Sequence, residues 1–321
     1  MDKEKTIIKN DLKIVFMGTP VFSVPVLEGL INNYQVVAVV TQPDRCVGRK
    51  KQLVSSPIKQ VANKNHILVL QPERIKEHIQ EIIDLEPDLI ITCAYGQILP
   101  NEILNCPKIA CINVHASLLP KLRGGAPIHH AIIDGYKETG ITIMHMSQKM
   151  DAGDIISSKK IEILDTDTVE TLHDKLSMMA SELLLETLPS IINGTAIRTP
   201  QNESDVTYGF NITREDEQIN FDKSKREIFN QIRGLNSWPG AFTKLDGKIM
   251  KVWSSYETNH TFSNLLNGTI TNIYSDGIGV KVNDGEIVFT EIQPEGKTKM
   301  SVSSFINGIQ DKNNLIGKKF G

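Results

Sequence analysis

Short apolar runs alternate with helical patterns through the first 192 residues of the chain. The runs are nearly continuous and rich in β-branched residues, as is typical of strands buried on both faces; they are Leu12–Met17, Tyr34–Thr41, Asp88–Ala94 and Ile109–Val114. Apolar residues recur at helical spacing in Ser23–Ile31, Ser56–Lys64, Arg74–Leu85, Ile128–Asp134 and Thr168–Ile192. Strands that alternate with helices predict an α/β fold with a doubly wound, mostly parallel, Rossmann-like sheet.

The pattern changes after residue 192. Residues 193–211 are polar and punctuated by Gly and Pro, which predicts a linker. Short alternating runs follow, and β-hairpin signals separate them at Asp246-Gly247, Asn267-Gly268, Asp276-Gly277 and Asp284-Gly285. We therefore predict a first domain over residues 1–192, a linker over 193–211, and a second domain over 212–321. The second domain is expected to be a small β-rich barrel or sandwich with one early helix, Lys223–Gly234.

Two polar side chains, Asn113 and His115, stand at the end of the fourth apolar run. Residues at i and i+2 of a strand share a face, and open α/β sheets bind ligands at the carboxyl ends of their strands. An amide beside an imidazole suits acyl transfer, because one group donates to a developing oxyanion while the other handles charge or a proton. On these residues alone, a polar strand end satisfied by neighbouring backbone remains the alternative.

A carboxylate, Asp151, follows 36 residues after His115 in a sharp Asp-Ala-Gly turn. It can hold a charged imidazole or order a water, although an aspartate that merely caps a turn is equally consistent with this sequence. The adjacent His129 and His130 diverge on a helix, and the chain has no zinc-type histidine spacing, so we expect no metal. The first turn, Gly18-Thr19-Pro20, lacks a glycine-rich phosphate cradle, which disfavours nucleotide binding by this sheet.

Composition adds one local feature. The 321 residues are 40% hydrophobic and 23% charged with a net charge of −3, which is ordinary for a globular protein and does not indicate a nucleic-acid partner. Asp44–Lys59, however, carries five basic residues and one acid, which fits either a solvated loop or a contact with phosphates. The four cysteines form no C-x-x-C pair, which fits a reducing cytoplasm, and the charged N-terminal stretch predicts neither a secretory signal nor a membrane span.

Taken together, several segments resemble the 10-formyltetrahydrofolate-dependent formyltransferases. The resemblance is carried by Asn113–Pro120 (N-V-H-A-S-L-L-P), by Arg123-Gly124, by Ala126-Pro127 and by Met150–Asp154. Phe16–Pro20, Thr41–Arg45 and Ile232–Ala241 narrow it to the branch of the family that acts on initiator tRNA. It covers the chain from about Leu12 to the end, and its motifs are specific as a set.

The resemblance implies transfer of a formyl group from 10-formyltetrahydrofolate to the α-amine of methionine on initiator tRNA, for translation initiation. By the same resemblance the catalytic residues are Asn113, His115 and Asp151. The folate-binding residues are Ser117, Leu118, Leu119 and Pro120 with Tyr95, Gly96, Gln97 and Ile98, and the tRNA-binding residues are Arg45, Arg49 and Lys50. The second domain is expected to be an OB-like barrel that contacts tRNA, and the protein to be a cytoplasmic monomer without membrane attachment.

Two other functions compete with this interpretation. One keeps the chemistry but formylates an amino-sugar nucleotide; the basic segment and the Arg233–Ala241 motif argue against it. The other is a non-catalytic RNA-binding protein, which the intact Asn113, His115 and Asp151 argue against.

Overall fold

The computed structural model describes residues 12–47, 52–310 and 312–321. Contacts within the chain divide it into two units. The first unit contains the chain up to Pro127 together with Glu138–Ile161 and His173–Phe210; the second contains Ile128–Lys137, Glu162–Leu172 and Asn211–Gly321. The predicted domain boundaries at residues 192 and 211 stay predictions. None of the helices within the described ranges combines the length and the apolar character needed to cross a membrane.

A seven-stranded sheet forms the centre of the first unit. Its strands are β1 (Ile14–Gly18), β2 (Val36–Val40), β5 (Leu68–Leu70), β6 (Leu89–Cys93), β7 (Ala110–His115), β8 (Glu138–His145) and β9 (Ile155–Glu162), and a separate ribbon pairs β3 (Arg45–Val47) with β4 (Gln52–Val54). The strand order is β5-β2-β1-β6-β7-β8-β9. The first five strands in this order, β5, β2, β1, β6 and β7, pair in parallel, and β8 runs antiparallel to β7. The prediction of a mostly parallel sheet is therefore confirmed.

The helices are α1 (Val24–Asn33), α2 (Pro57–Lys64), α3 (Ile79–Ile83), α4 (Asn101–Asn105), α5 (Pro127–Ile133) and α6 (Val169–Ile192). Helix α2 begins as its sequence predicts, with Pro57 in the first turn and the Ser56 hydroxyl accepting a hydrogen bond from the Lys59 amide. The single helix predicted over Arg74–Leu85 is wrong: a 3₁₀ turn (Ile75–Glu77) and α3 replace it, broken at His78. The Gln97 side chain accepts the Ile75 amide proton and so anchors the start of the 3₁₀ turn, and the helix is interrupted where His78 has a φ of −125° and a ψ of 27°.

Antiparallel strands make up most of the second unit. They are β10 (Ala241–Leu245), β11 (Lys248–Glu257), β12 (Ile270–Ile273), β13 (Ile278–Val282), β14 (Gly285–Pro294) and β15 (Met300–Ser301), with helices α7 (Arg214–Glu217), α8 (Lys225–Gly234) and α9 (Val302–Asn307). The order is β10-β11-β14-β13-β12, and β15 pairs with β14. Three of the four predicted hairpin signals, the Asp-Gly pairs at residues 246, 276 and 284, lie in hairpin connections of this sheet; the fourth, Asn267-Gly268, precedes β12 without joining neighbouring strands.

The residues around Phe320 link the two edges of this second sheet. Phe320 bridges Leu245 at the end of β10, and Lys319 bridges Thr269 just before β12. The ring of Phe320 is fully buried beside Phe221 and Phe289. The sheet therefore curves around an apolar core, which accounts for the continuous burial along β13 and the first half of β14.

Candidate active site

Strand β7 ends by presenting Asn113 and His115 from the middle of the first sheet. Asn113 lies opposite Thr92 on β6 and Met144 on β8, and His115 lies opposite Thr142 on β8. The alternation of a strand puts both side chains on one face, as their spacing predicts. Parallel β6 and β7 end together here, which places the pair at the carboxyl edge of the sheet.

The Asn113 amide is oriented by a neighbouring strand. The buried Thr92 hydroxyl donates to Asn113 Oδ1 at 2.7 Å, which directs the Asn113 Nδ2 group toward Asp151 Oδ1 at 3.4 Å. An amide nitrogen carries two N–H bonds, and the contact with Asp151 uses one of them. Asn113 is thus held as a donor, and its second N–H bond can serve a substrate oxygen.

The imidazole of His115 faces an acceptor on each side. Its Nε2 lies 3.0 Å from the carbonyl oxygen of Leu122, and because a carbonyl only accepts, the proton of that bond belongs to Nε2. Its Nδ1 lies 3.7 Å from Asp151 Oδ2, and both side chains are largely buried. The three residues predicted as catalytic therefore converge, although 151 is 36 positions from 115 in the chain.

The turn that carries Asp151 is tightly fitted. The backbone of Asp151 is left-handed, with φ at +49°, and the Gly124 amide donates to Asp151 Oδ2 at 2.9 Å. Gly153 packs directly on β8, since a Cβ there would lie 1.9 Å from the carbonyl oxygen of His145. This turn admits only glycine at position 153, and it aims the carboxylate between Asn113 and His115.

Two further residues support this turn, and sequence reasoning did not assign either of them a role. The Gln201 amide donates to the carbonyl oxygens of both Asp151 and Gly153 at 2.8 Å, and its own oxygen accepts from the buried guanidinium of Arg123. Arg123 belongs to the Arg123-Gly124 motif without a predicted role, and Gln201 lies in residues 193–211, which the sequence predicts to be a linker. A polar glutamine among turn-forming residues gave no sequence signal for this contact.

The loop predicted to bind folate after β7 is braced by its own polar groups. The Ser117 hydroxyl donates to the Lys121 carbonyl at 2.6 Å, and the Leu119 amide donates to the Thr142 hydroxyl. Leu119 is nearly buried, Leu118 and Pro120 are partly exposed, and the Leu119–Pro120 peptide is cis. The Ser117 hydroxyl is thereby committed within the loop, so what the loop offers a ligand is its backbone and its apolar side chains.

The second predicted folate segment, Tyr95–Ile98, uses most of its side chains internally. Tyr95 packs in the apolar core of the first unit, and burial raises the pKa of its phenol to about 12. The Gln97 amide holds the backbone at Pro72, Glu73 and Ile75. Gly96 has a φ of +89°, and the Ile98 side chain is 84% exposed. Assignment of these four residues to folate stays a prediction.

The basic segment begins on the exposed β3–β4 ribbon. Arg45 is itself exposed, and its guanidinium pairs with Glu73 at 3.0 Å. Lys59 instead forms a salt bridge with Asp44 at 2.7 Å, which holds the base of the ribbon. Arg49 and Lys50 lie outside the described residues. Within the described ranges, no group of three or more His, Cys, Asp or Glu side chains has the arrangement to hold a metal ion.

Comparison with protein families and curated proteins gives consistent matches. The formyl transferase family matches residues 12–188, and the formyl transferase C-terminal domain matches residues 211–310. Methionyl-tRNA formyltransferase of Bacillus thuringiensis subsp. konkukian is 51% identical over 314 residues, which cover 97% of this chain and 99% of that protein. The Bacillus anthracis enzyme of the same name shows the same identity and coverage.

Solved structures share the fold at lower identity. An N-formyltransferase from Helicobacter canadensis, in complex with folinic acid and dTDP-3-aminofucose, superposes with a TM-score of 0.68 at 23% identity, over 87% of this chain and 98% of that one. HypX from Aquifex aeolicus, in complex with tetrahydrofolic acid, superposes with a TM-score of 0.61 at 17% identity. That match covers 91% of this chain and 46% of HypX.

Proposed function

The chain belongs to the formyl transferase family, and we propose that it transfers the formyl group of 10-formyltetrahydrofolate to the α-amine of methionine on initiator methionyl-tRNA. The observation that carries the chemistry is the convergence of Asn113, His115 and Asp151 at the end of β7. The acceptor follows from the methionyl-tRNA formyltransferases that are 51% identical over nearly the whole chain.

The reaction needs three things from the protein. The neutral amine nitrogen attacks the formyl carbon, the C=O electron pair moves to the oxygen, and the nitrogen loses a proton. The bond from the formyl carbon to the folate nitrogen then breaks, and that nitrogen takes up a proton to leave tetrahydrofolate. The protein must therefore stabilise an oxyanion, accept one proton and return one.

The geometry distributes these tasks among three side chains. The second N–H bond of Asn113 donates to the developing oxyanion, because Thr92 already fixes the amide with its nitrogen outward. Asp151, which contacts both Asn113 and His115, accepts the proton of the attacking nitrogen, directly or through a water. His115, which lies within ion-pair distance of Asp151, carries positive charge and relays the proton from the attacking nitrogen to the folate nitrogen. Each role is a proposal of ours that rests on these contacts.

Substrate binding is assigned to three parts of the protein. We place folate against the backbone and apolar side chains of Ser117–Pro120, with the exposed Ile98 beside Gly96 as a second candidate surface. We assign contacts with tRNA phosphates to Arg45 and, because they belong to the same basic segment, to Arg49 and Lys50. We assign further tRNA contacts to the second unit, as an OB-like domain. Because translation is initiated in the cytoplasm, we expect a cytoplasmic enzyme. We also expect a monomer, and analytical ultracentrifugation tests this oligomeric state.

One assay separates the proposal from its alternatives. The protein is incubated with 10-formyltetrahydrofolate and either initiator Met-tRNA or a dTDP-linked amino sugar, and the products are identified by mass spectrometry. We expect formylmethionyl-tRNA from wild-type protein and its formation to be about 10²–10³-fold slower in Asn113→Ala. Formylation of the amino sugar without formylation of the tRNA would overturn the assignment of the acceptor, and tRNA binding without any transfer would overturn the assignment as an enzyme.

A further inference from the structure

We infer that Gln201 is a positioning residue for formyl transfer: it holds the Asp151 turn from behind and so makes the segment from Thr199 to Gly209 part of the catalytic apparatus. Its side-chain amide spans Asp151 and Gly153 on one side and Arg123 on the other. The inference rests on the proposed function in one respect, since its test measures formyl transfer.

The orientation of the Gln201 amide is fixed by its partners. The Arg123 guanidinium donates to Gln201 Oε1 through Nε at 3.1 Å and through Nη2 at 2.8 Å. Gln201 Nε2 donates to the Asp151 and Gly153 carbonyls, each at 2.8 Å. A flipped amide would set donors against the guanidinium and an oxygen against two carbonyl oxygens. All four hydrogen bonds therefore require this one orientation.

The contacts close a ring around the carboxylate. Gly124 donates its amide proton to Asp151 Oδ2, and the neighbouring Arg123 holds Gln201, which in turn holds the Asp151 carbonyl. The side chain and the main chain of Asp151 are thus fixed from the same short stretch, residues 123–124. Since Asp151 has a left-handed backbone, the turn depends on such external bonds to keep its direction.

The segment that carries Gln201 is anchored on both sides of it. Thr199 and Ile155 exchange backbone hydrogen bonds at 2.8 and 2.9 Å. Further along, Thr207 accepts the Leu122 and Arg123 amides through its hydroxyl and its carbonyl, and the Gly209 amide donates to the Arg123 carbonyl. A substitution at Gln201 therefore leaves the segment anchored by these backbone bonds, while it breaks the link to Asp151 and Gly153 and, where the side-chain oxygen is lost, the link to Arg123.

Two substitutions and a matched control test the inference. Gln201→Met keeps the length of the side chain and removes both the amide donors to Asp151 and Gly153 and the oxygen that accepts from Arg123. Gln201→Glu keeps the acceptor for Arg123 but sets a negative charge against the Asp151 turn. Gln80→Met makes the same exchange on the exposed face of α3, where the Gln80 amide donates to the Asp84 carboxylate at 2.7 Å, and serves as the control. The assay measures kcat, both KM values, the pH profile of kcat and the melting temperature.

We expect kcat of Gln201→Met to fall by about tenfold or more, since misplacement of a catalytic group by 1 Å can cost about a hundredfold. Both KM values should stay near wild type, the melting temperature should fall modestly because the buried Arg123 loses an acceptor, and Gln80→Met should match wild type throughout. In Gln201→Glu the pH profile of kcat should differ from that of wild type, because a second carboxylate is then placed against the turn that carries Asp151. Hydrogen exchange of the peptide containing residues 151–154 should be faster in Gln201→Met.

Two results would overturn the inference. One is a kcat within twofold of wild type in both variants. The other is a loss of activity that follows a lowered melting temperature, with unchanged pH profile and unchanged exchange at residues 151–154. Failure of the proposed function is distinct from both, since it would show in the wild-type protein as no formylation of Met-tRNA.

Discussion

The orientation of the Asn113 amide depends on one hydroxyl, and Thr92→Val tests that dependence. Valine has the shape of threonine and suits a buried strand, so the substitution removes the donor to Asn113 Oδ1 at 2.7 Å together with the longer contacts of the same hydroxyl with the Ile112 carbonyl at 3.2 Å and the Met146 sulfur at 3.6 Å. Without it, the amide is turned toward the substrate only by its longer contact of 3.4 Å with Asp151.

The magnitude follows from a single hydrogen bond. A neutral intramolecular hydrogen bond contributes about 0.5–1.5 kcal/mol net, and about 1.4 kcal/mol corresponds to a tenfold change in rate. We therefore expect kcat of Thr92→Val to fall about three- to tenfold. The loss should be well short of the roughly 10²–10³-fold expected when an oxyanion donor is removed, as in Asn113→Ala.

The assay is formation of formylmethionyl-tRNA at saturating concentrations of both substrates, with Thr92→Ser as the control. Serine keeps the hydroxyl and loses a methyl group, so it should retain kcat even if the melting temperature falls. An unchanged kcat in Thr92→Val, or an equal loss in Thr92→Ser, would refute the reasoning. So would a loss above a hundredfold in stably folded Thr92→Val protein.

Three further predictions address the carboxylate, the ribbon and the second unit. Asp151→Asn keeps the shape of the side chain but removes its charge, so kcat should fall by about 10²–10⁴-fold at an unchanged melting temperature; retention of a tenth of the activity would contradict the assignment. Arg45→Ala should raise the KM for tRNA and leave kcat unchanged. It should also reduce by about one the slope of the logarithm of the tRNA-binding constant against the logarithm of the salt concentration; identical slopes in variant and wild type would exclude a phosphate contact. In the second unit, burial raises the pKa of Glu286, but hydrogen bonds from the hydroxyls of Thr271, Tyr274 and Thr258 and a contact with His260 outweigh it, so the pKa lies below the ordinary value. Its stabilisation is therefore complete above about pH 4.5 and is lost as the pH falls through the lower folded-state pKa. Thermal melts should show a steeper acid destabilisation in wild type than in Glu286→Gln, and parallel curves would contradict this.

Local pattern was sufficient for the parts of the fold that depend on neighbours in sequence. Alternation put Asn113 and His115 on one face of a strand, and a buried β-branched run put that strand inside the sheet. The broken helix around His78 and the β3–β4 ribbon escaped prediction, because the spacing of apolar residues does not report a local break in the backbone and because pairing between short, mostly exposed segments leaves no apolar pattern.

The residues that support the site could not be predicted from the sequence, because they act through contacts with residues that are distant in the chain. Thr92 reads as one more β-branched strand residue, yet its hydroxyl lies against Asn113, 21 positions away. Gln201 lies 50 positions from Asp151, in a segment whose Gly, Pro and polar residues are typical of a linker. Periodicity reports which face of an element is buried, and it carries no information about which distant polar group that face will meet.

The ring of residues 123–124, 151 and 201 has a practical consequence for protein engineering. Every described contact that fixes the Asp151 carboxylate comes from the first unit, so the reacting centre can be kept whole while acceptor recognition is redesigned. A chimera joined at residue 193 would discard Gln201 with the exchanged part, whereas a junction at Asn211 would retain it. Grafts of new acceptor-binding domains should therefore begin at residue 211 and include matched replacements of Ile128–Lys137 and Glu162–Leu172, the internal segments that belong to the second unit.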